Sequence, residues 1–262
     1  MRSVRALRYV LPFRQGGSVP ALVEADDLGF YVVKLRGAAQ GHKALVAELV
    51  AGELARAAGL LVPELVLVDL DPKLAESEPD PEISAPLEKS AGLNLGLDFL
   101  PGSITFDLAA KGFQPDRRSA SLTVLFDAFV ANVDRTARNA NLLQWHRRLW
   151  LIDHGAALYF HHGWDPATRL EGADDPFSHT RQHILLRWAS ELDAAASTLA
   201  ETMTEPLFAR VAAEIPDSWL PPGDGFAGGA DHRAAYTDWL GARARALPIV
   251  VEEAKRAYAH FV

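Results

Sequence analysis

Two aspartates and an asparagine near the middle of the chain have the types and spacing that phosphoryl transfer requires. Asp134 and Asn139 are five residues apart, and two short apolar segments then follow and end at Asp153. A hairpin of these segments would bring Asp153 back beside Asn139. Phosphoryl transfer needs one carboxylate near the attacking hydroxyl and hard oxygen ligands that hold Mg²⁺ against the phosphates. We therefore assign Asp134 to the hydroxyl, and Asn139 and Asp153 to the metal ion.

The same residues resemble a motif of the protein-kinase-like superfamily. D-x-x-x-x-N, a hairpin and D-x-G are similar to the catalytic loop and the metal-binding aspartate of that superfamily. Val133-Asp134-Arg135 stands in place of H-R-D, and Asp153-His154-Gly155 in place of D-F-G. Each aspartate alone could instead cap a helix or end a strand, but the combined spacing favours a site. The flanking Arg135 and Arg138 are either surface charges or groups that neutralise a phosphate.

The composition is ordinary for a soluble globular protein and excludes several other kinds of site. The 262 residues are 49% hydrophobic and 23% charged. No apolar run has the length of a membrane span and no signal peptide is recognisable, so we expect a cytoplasmic protein without membrane contact. The absence of cysteine excludes disulfides, thiolate catalysis and Cys-based zinc sites. The net charge of −8 argues against a nucleic-acid-binding surface.

The first part of the chain has the alternation and turns of a three-stranded meander. The strands are predicted at 7–13, 20–25 and 30–35. Gly16, Gly17 and Ser18 join the first two strands. Bare glycine N–H groups and a serine hydroxyl could bind a phosphate here, or the glycines could serve only as a hairpin turn.

Lys34 and Glu48 are a candidate ion pair. Lys34 lies on one strand face with Phe30 and Val32, and could also be a solvated lysine at a strand end. Segment 42–60 is predicted to be a helix, in which Glu48 has no charged neighbour three or four residues away. Its carboxylate must therefore be exposed or paired with a cation from elsewhere. In kinases a strand lysine and a helix glutamate position the ATP phosphates, and Lys34 is the analogous partner. If the pair is exposed to solvent, it should contribute little to stability.

Further elements follow from periodicity and composition. Segment 64–70 is predicted as a fourth strand, 71–92 as an acidic, proline-rich loop, 94–100 as a strand, 119–133 as a core helix that leads into the Asp134 loop, 181–203 as a helix, and the chain after about residue 231 as two helices. His179 and His183 have the i, i+4 spacing of helical metal ligands, but no glutamate completes H-E-x-x-H. We therefore expect these histidines to pack independently.

Taken together, the motifs resemble HipA-like kinases, which are bacterial Ser/Thr kinases of toxin–antitoxin origin and their relatives. The resemblance rests on AELVAGELARAAGLLVPE, with its Glu48, and on an ordered set that spans residues 16–158: GGS, Lys34, Glu48, VDRTARN and IDHGAAL. It implies an α+β, bilobal protein-kinase-like fold in one domain, 1–262. A small antiparallel-sheet N-lobe would extend to about residue 97, and a mostly helical C-lobe would follow.

The resemblance also implies the cofactors and the roles of the site residues. ATP and Mg²⁺ would bind between the lobes. The resemblance implies that the phosphates are contacted by Gly16, Gly17, Ser18, Lys34 and Glu48. It implies that the adenine is bound at the hinge, Asp98, Phe99 and Leu100. It also implies that Asp134 contacts the acceptor hydroxyl and that Asn139 and Asp153 bind the metal.

The implied reaction is transfer of a γ-phosphoryl group to a hydroxyl, and the family indicates Ser or Thr on a protein as the acceptor. A small-molecule hydroxyl is the alternative, because enzymes of the aminoglycoside-phosphotransferase type also show D-x-x-x-x-N followed by I-D. A non-catalytic nucleotide-binding pseudokinase is a third possibility, for which the departures at Val133 and His154 are the arguments.

Overall fold

A computed structural model describes residues 1–13, 20–37, 41–110, 112–223 and 225–261. The fold mixes helices and strands, as predicted. Gly16, Gly17 and Ser18 lie outside the described residues. The elements are β1 (Ser3–Pro12), β2 (Ala21–Ala25), β3 (Phe30–Lys34), α1 (Gly41–Ala57), β4 (Leu65–Leu70), α2 (Pro81–Lys89), β5 (Gly92–Asp98), β6 (Ile104–Thr105), α3 (Arg117–Phe129), β7 (Leu142–Trp145), β8 (Arg148–Leu151), α4 (Leu192–Thr202), α5 (Glu205–Ala213), α6 (Gly229–Arg245) and α7 (Leu247–Ala259).

The first five strands form a closed barrel in the order β1-β2-β3-β5-β4. The predicted meander β1-β2-β3 is present, but the expectation of an antiparallel sheet is wrong at one ladder, because β1 pairs with β4 in parallel, with Val4 opposite Val68. Alternating apolar side chains fill the interior, among them Val23 and Val33. A Cβ at Gly96 of β5 would lie 2.6 Å from Val68 Cγ2, so the interior requires glycine at this position.

The acidic, proline-rich segment predicted as a loop is largely helical, and that prediction is wrong. It forms a 3₁₀-helix, Pro72–Ser77, followed by α2. Both helices begin with Asp-Pro: the carboxylates of Asp71 and Asp80 accept hydrogen bonds from the N–H groups two residues later, and the proline occupies the first turn, where it needs no N–H partner. Helix α2 packs Ile83 and Leu87 against the barrel, which stabilises it.

Helix α1 is buried on nearly all sides, including every residue from 45 to 52. It packs against β4 and β5 of the barrel, and also against α5 and the 3₁₀-helix Asp217–Trp219. From residue 44 to residue 52 its sequence is apolar except for Glu48, which is typical of a helix segment enclosed by neighbours. Because Glu48 lies in the middle of α1, its carboxylate is inside the protein.

The chain from Arg117 onward is mostly helical, as predicted. The predicted helix 181–203 is wrong in its first half: Ser178–Gln182 and Leu186–Trp188 are 3₁₀-helices, and only α4 is α-helical. The two final helices, α6 and α7, are present. Within the described ranges, no helix combines the length and the apolar character needed to cross a membrane.

Candidate active site

Three charged side chains from distant parts of the sequence meet between the barrel and the helices. Lys34 lies at the end of β3, on the outer face of the barrel that α1 covers. Its Nζ is 2.5 Å from Glu48 Oε2 and also contacts Asp153 Oδ1, just after β8. The exposed fractions of the side chains are 13% for Lys34, 0% for Glu48 and 44% for Asp153. The ion pair predicted from the sequence is therefore present, but it is buried rather than exposed.

The surroundings of this cluster keep both partners charged. Burial alone would raise the pKa of Glu48, but the charge of Lys34 and the hydrogen bond with His154 outweigh this effect and lower the pKa to about 2. Burial alone would lower the pKa of Lys34, but the charges of Glu48 and Asp153 outweigh the effect of burial and raise this pKa. His154 is the residue that follows Asp153, and its Nδ1 lies 3.4 Å from Glu48 Oε1. An ionised lysine thus faces the edge of the site where Asp153 reaches solvent.

The lowered pKa of Glu48 predicts a loss of stability in acid. The folded-state pKa lies below the unfolded value, so the unfolded chain binds the proton first as the pH falls. Stability that is present above pH 4.5 should be lost between pH 4.5 and about 2. The contribution of Glu48 should be on the order of 3 kcal/mol. Urea unfolding at pH 6, 4 and 3 measures it.

Glu48→Gln should flatten this pH dependence, because the variant has no carboxylate to protonate at that position. Glu252→Gln is the matched control, since Glu252 lies on α7 with its side chain 67% exposed, and it should keep the pH dependence of the parent. Equal slopes for Glu48→Gln and the parent would contradict the ionised, buried state of Glu48.

Asp134 and Asn139 are joined directly. Asn139 Nδ2 donates to Asp134 Oδ2 at 2.6 Å, and Asn141 Nδ2 donates to the same oxygen at 3.2 Å. The Asp134 N–H donates to the side chain of Asn132 at 3.1 Å, which fixes the start of the loop. An ionised carboxylate can only accept, so the Asn139 amide nitrogen points at Asp134 and its carbonyl oxygen points elsewhere. The loop thus presents a carboxylate and an amide oxygen side by side.

A buried polar cluster under this loop was missed by sequence reasoning. Asp127 on α3 is fully buried and accepts from Arg135 Nε at 2.5 Å, His183 Nε2 at 2.8 Å and Asn132 Nδ2 at 3.0 Å. Burial would raise the pKa of Asp127, but the charge of Arg135 and the hydrogen bond with His183 lower it. The one available signal was the acidic residue inside the apolar run VLFDAFV of α3.

Arg135 connects the two halves of the site. Both interpretations of Arg135 as a surface charge or a phosphate ligand are wrong, because the side chain is 1% exposed and bound to Asp127. Its Nη1 also donates to the carbonyl groups of Asn141 and Ile152, the latter at 3.3 Å. One guanidinium therefore holds the loop of Asp134 against the residue that precedes Asp153. Among the described residues, no hydrogen bond joins Asn139 and Asp153 directly.

The hairpin that delivers Asp153 is formed by β7 and β8, with Leu142 opposite Leu151. Asp153 itself has a φ of 55°, in the left-handed region that few non-glycine residues adopt. Backbone strain of this kind concentrates at functional sites, where surrounding contacts hold it in place. Within the described ranges, no cluster of three or more His, Cys, Asp or Glu side chains is arranged as a metal site, and His183 is bound to Asp127 instead.

The predicted hinge residues begin at Asp98, the last residue of β5, and lead toward the hairpin. The Phe99 N–H is already used, since it donates to the Phe30 carbonyl at 2.9 Å. In the part of the chain that the structure describes, nothing accepts a hydrogen bond from the Leu100 N–H. Asp98 is exposed at the end of the strand. The segment is fixed to β7, because Trp145 Nε1 donates to the Pro101 carbonyl at 2.9 Å.

Comparison with solved structures identifies a similar fold. The crystal structure of a Helicobacter pylori proinflammatory kinase, CtkA, matches with a TM-score of 0.60, at 13% sequence identity and over 97% of this chain and 98% of that one. At this identity the likeness concerns the fold alone. A search of curated proteins gives no significant match.

The sequence itself places the chain in a family. The model of the HipA-like kinase family matches residues 8–236, a range that contains Lys34, Glu48, Asp134 and Asp153. It covers most of the chain and confirms the resemblance drawn from the motifs. The chain belongs to the HipA-like kinase family.

Proposed function

We propose that this protein is an ATP- and Mg²⁺-dependent kinase that transfers a γ-phosphoryl group to a Ser or Thr hydroxyl of a protein. The observation that carries the proposal is the meeting of Lys34, Glu48 and Asp153 at one point, from β3, α1 and the end of β8. A strand lysine held by a helix glutamate, beside an aspartate that can bind metal, is the arrangement that positions nucleotide phosphates in kinases. Membership of the HipA-like kinase family supports the same reaction.

The residues present fit a bound Mg²⁺. Asp153 offers a carboxylate that is 44% exposed, and Asn139 offers the amide oxygen that does not face Asp134. Both are hard oxygen ligands, and Mg²⁺ commonly takes one or two protein ligands and completes its shell with phosphate oxygens and water. The ion, when bound, would neutralise charge on the phosphate oxygens. In the present structure the Lys34 ammonium contacts the Asp153 carboxylate, so this carboxylate already accommodates a positive charge.

Glu48 has the task of holding Lys34 at the correct position for phosphate oxygens. The carboxylate is buried, ionised and bonded to both Lys34 and His154, so it has little freedom to move. Lys34 can then contact a phosphate without losing its counter-charge. This is a positioning role, and the burial of Glu48 within α1 supports it because it limits the motion of the carboxylate.

Asp134 has the task of orienting the acceptor hydroxyl and receiving its proton. Its Oδ2 is held by Asn139 and Asn141, and the loop is fixed from below through Arg135 and Asp127. A carboxylate fixed in this way can accept a hydrogen bond from a hydroxyl with little reorganisation.

The proposal includes two lobes within one domain, 1–262. The N-lobe contains the barrel and extends to about residue 97, and the C-lobe follows. The nucleotide would bind between the two lobes. The Leu100 N–H is then the best candidate for a backbone contact to adenine, because the Phe99 N–H is already used. Gly16, Gly17 and Ser18 remain proposed phosphate contacts.

Mg²⁺-dependent stabilisation by a non-hydrolysable ATP analogue tests this proposal. At a ligand concentration one hundred times Kd, the gain is about 2.7 kcal/mol. For a chain of this size the melting temperature should rise by roughly 5 to 10 °C. In the Asp153→Asn variant, the melting shift caused by the nucleotide should no longer depend on Mg²⁺. No shift at millimolar Mg²⁺ and nucleotide would refute the kinase proposal and favour neither acceptor class.

The acceptor is identified by where label from ³²P-ATP appears. Label on Ser or Thr of this chain or of a protein in a cell extract supports a protein acceptor. Label on low-molecular-weight material alone would support the small-molecule alternative. Nucleotide binding without any transfer would indicate a pseudokinase.

A further inference from the structure

A cavity of about 440 Å³ lies beside the first turn of α1, and its lining includes neither Asp134 nor Asn139. Its volume is in the range of small-molecule sites. The walls are mainly aromatic and apolar, and they come from three parts of the chain: α1, the segment around residues 161–164, and the segment 219–236. The lining includes Trp164, Trp219, Pro222, Phe226 and Tyr236. None of these residues belongs to the site proposed for phosphoryl transfer.

The indole N–H groups of the two tryptophans in this cavity need no hydrogen-bond acceptor from a ligand. Trp164 Nε1 donates to the Arg169 carbonyl at 3.1 Å, and Trp219 Nε1 donates to the Leu93 carbonyl at 3.0 Å. Both indoles therefore have their N–H groups satisfied within the protein. Trp164 packs with Tyr236 at 4.7 Å and with Phe226 at 5.2 Å between ring centroids. The walls suit a flat, apolar ring.

One polar group of the lining lacks a partner. His161 is fully buried, its Nδ1 lies 3.0 Å from the Tyr236 hydroxyl, and its Nε2 is buried without a hydrogen bond among the described residues. Buried polar groups of folded proteins are almost always paired, and each exception needs an explanation. Since His161 lines the cavity, a ligand there could supply the missing partner.

The free nitrogen is a donor. Burial, with smaller effects from His162 and Lys43, lowers the pKa of His161 well below its usual range, so the ring is neutral and carries one proton. Burial also raises the pKa of Tyr236, so its hydroxyl keeps its proton. If this hydroxyl donates to His161 Nδ1, the ring proton is on Nε2 and only one group is left unpaired. The other tautomer would leave both the hydroxyl proton and Nε2 without partners, at a higher cost.

The edge of the cavity is positively polarised. Gly41, His42 and Lys43 contribute to the lining, and they form the first turn of α1, which contains no acidic residue. The N–H groups of a first helical turn carry partial positive charge and attract anions. The charge of Lys43 acts in the same direction. An aromatic ring in this cavity would thus have a cationic edge beside it and an N–H donor in its wall.

We propose that this cavity is a second ligand site, which binds a small aromatic carboxylate with its ring among Trp164, Phe226 and Tyr236 and its carboxylate on His161 Nε2–H and the first turn of α1. The ligand would contact Val46, two residues before Glu48 on the same helix. The lining shares no residue with the proposed nucleotide site, and the inference does not depend on the proposed kinase activity.

Titration with benzoate and indole-3-carboxylate, followed by ¹⁵N NMR of the histidine side chains, tests the proposal. We expect the His161 Nε2–H signal to shift on binding at millimolar levels or below. Benzamide, which lacks the charge, and acetate, which lacks the ring, should bind at least about tenfold more weakly, because each loses one of the two kinds of contact. No shift with either aromatic carboxylate, or equal binding of benzamide, would overturn the proposal.

Two variants separate binding from folding, and a third is the control. His161→Phe combined with Tyr236→Phe removes both members of the buried hydrogen bond and should weaken benzoate binding by about tenfold or more. Should that variant fail to fold, Pro222→Trp adds bulk at an exposed position of the lining and should abolish binding. Asp153→Asn should bind benzoate like the parent, whether or not the kinase proposal holds. Unchanged affinity in a folded variant with Trp at position 222 would refute the placement of the ligand.

Discussion

Asp134→Asn should lower phosphoryl transfer by about 10²- to 10⁴-fold, the usual cost of losing a general base. Nucleotide affinity and the Mg²⁺-dependent melting shift should stay near those of the parent. Asparagine keeps a side-chain oxygen that can accept from Asn139 and Asn141, so the loop geometry is preserved while the basic oxygen is lost. The measurement is ³²P transfer from ATP, with parent and variant compared under the same conditions.

Asp193→Asn is the matched control for this experiment. Asp193 lies on α4 with its side chain 86% exposed, and this variant should transfer label at the rate of the parent. If Asp134→Asn labels as fast as the parent, Asp134 is not the base. The alignment of the chain with the D-x-x-x-x-N motif would then be out of register.

Lys34→Met should destabilise the fold by about 3 to 5 kcal/mol, the range reported for removal of one partner from a buried ion pair. Glu48 is 0% exposed and would lose its main counter-charge. Sequence reasoning expected little effect for an exposed pair, and the enclosure of α1 changes that expectation. Unfolding by urea at pH 7 gives the difference in free energy. Transfer of phosphate should also be lost.

The double variant Lys34→Met with Glu48→Gln should recover part of this stability, since no unpaired charge remains in the interior. Lys255→Met is the control, because Lys255 pairs with Asp193 and Glu252 at the surface and should leave the unfolding curve unchanged. If Lys34→Met unfolds like the parent, or if the double variant is the less stable of the two, Glu48 does not depend on Lys34.

The sequence was informative where a pattern repeats over a few residues. Alternation along β3 placed Lys34 on a face with apolar neighbours, and helical spacing showed that Glu48 had no local partner. These two local observations, together with the analogy to the lysine–glutamate pair of kinases, predicted a contact between distant elements. The hairpin before Asp153 was recognisable for the same reason, since short apolar strands flank a polar turn.

Contacts without a local signature could not be predicted. Arg135 resembles any charged residue beside a catalytic motif, and its burial follows from where α3 places Asp127. The acidic segment illustrates a different error: its composition suggested a loop, whereas the Asp-Pro pairs at 71–72 and 80–81 are helix starts. The parallel pairing of β1 with β4 joins strands that are separated in the chain by β2, β3 and α1, and no turn or spacing in the sequence indicates it.

That parallel pairing also determines when the barrel can form. The ladder between β1 and β4 joins residues far apart in the chain, and β5 must enter between β3 and β4 before the ring is complete. Contacts of such long sequence separation form slowly, because loop closure has to precede the pairing. During synthesis, β1 and β3 would each have an unpaired edge until β4 and β5 have been made. Nascent chains of this protein are therefore exposed to edge-to-edge association during that interval, and the closed barrel ends it.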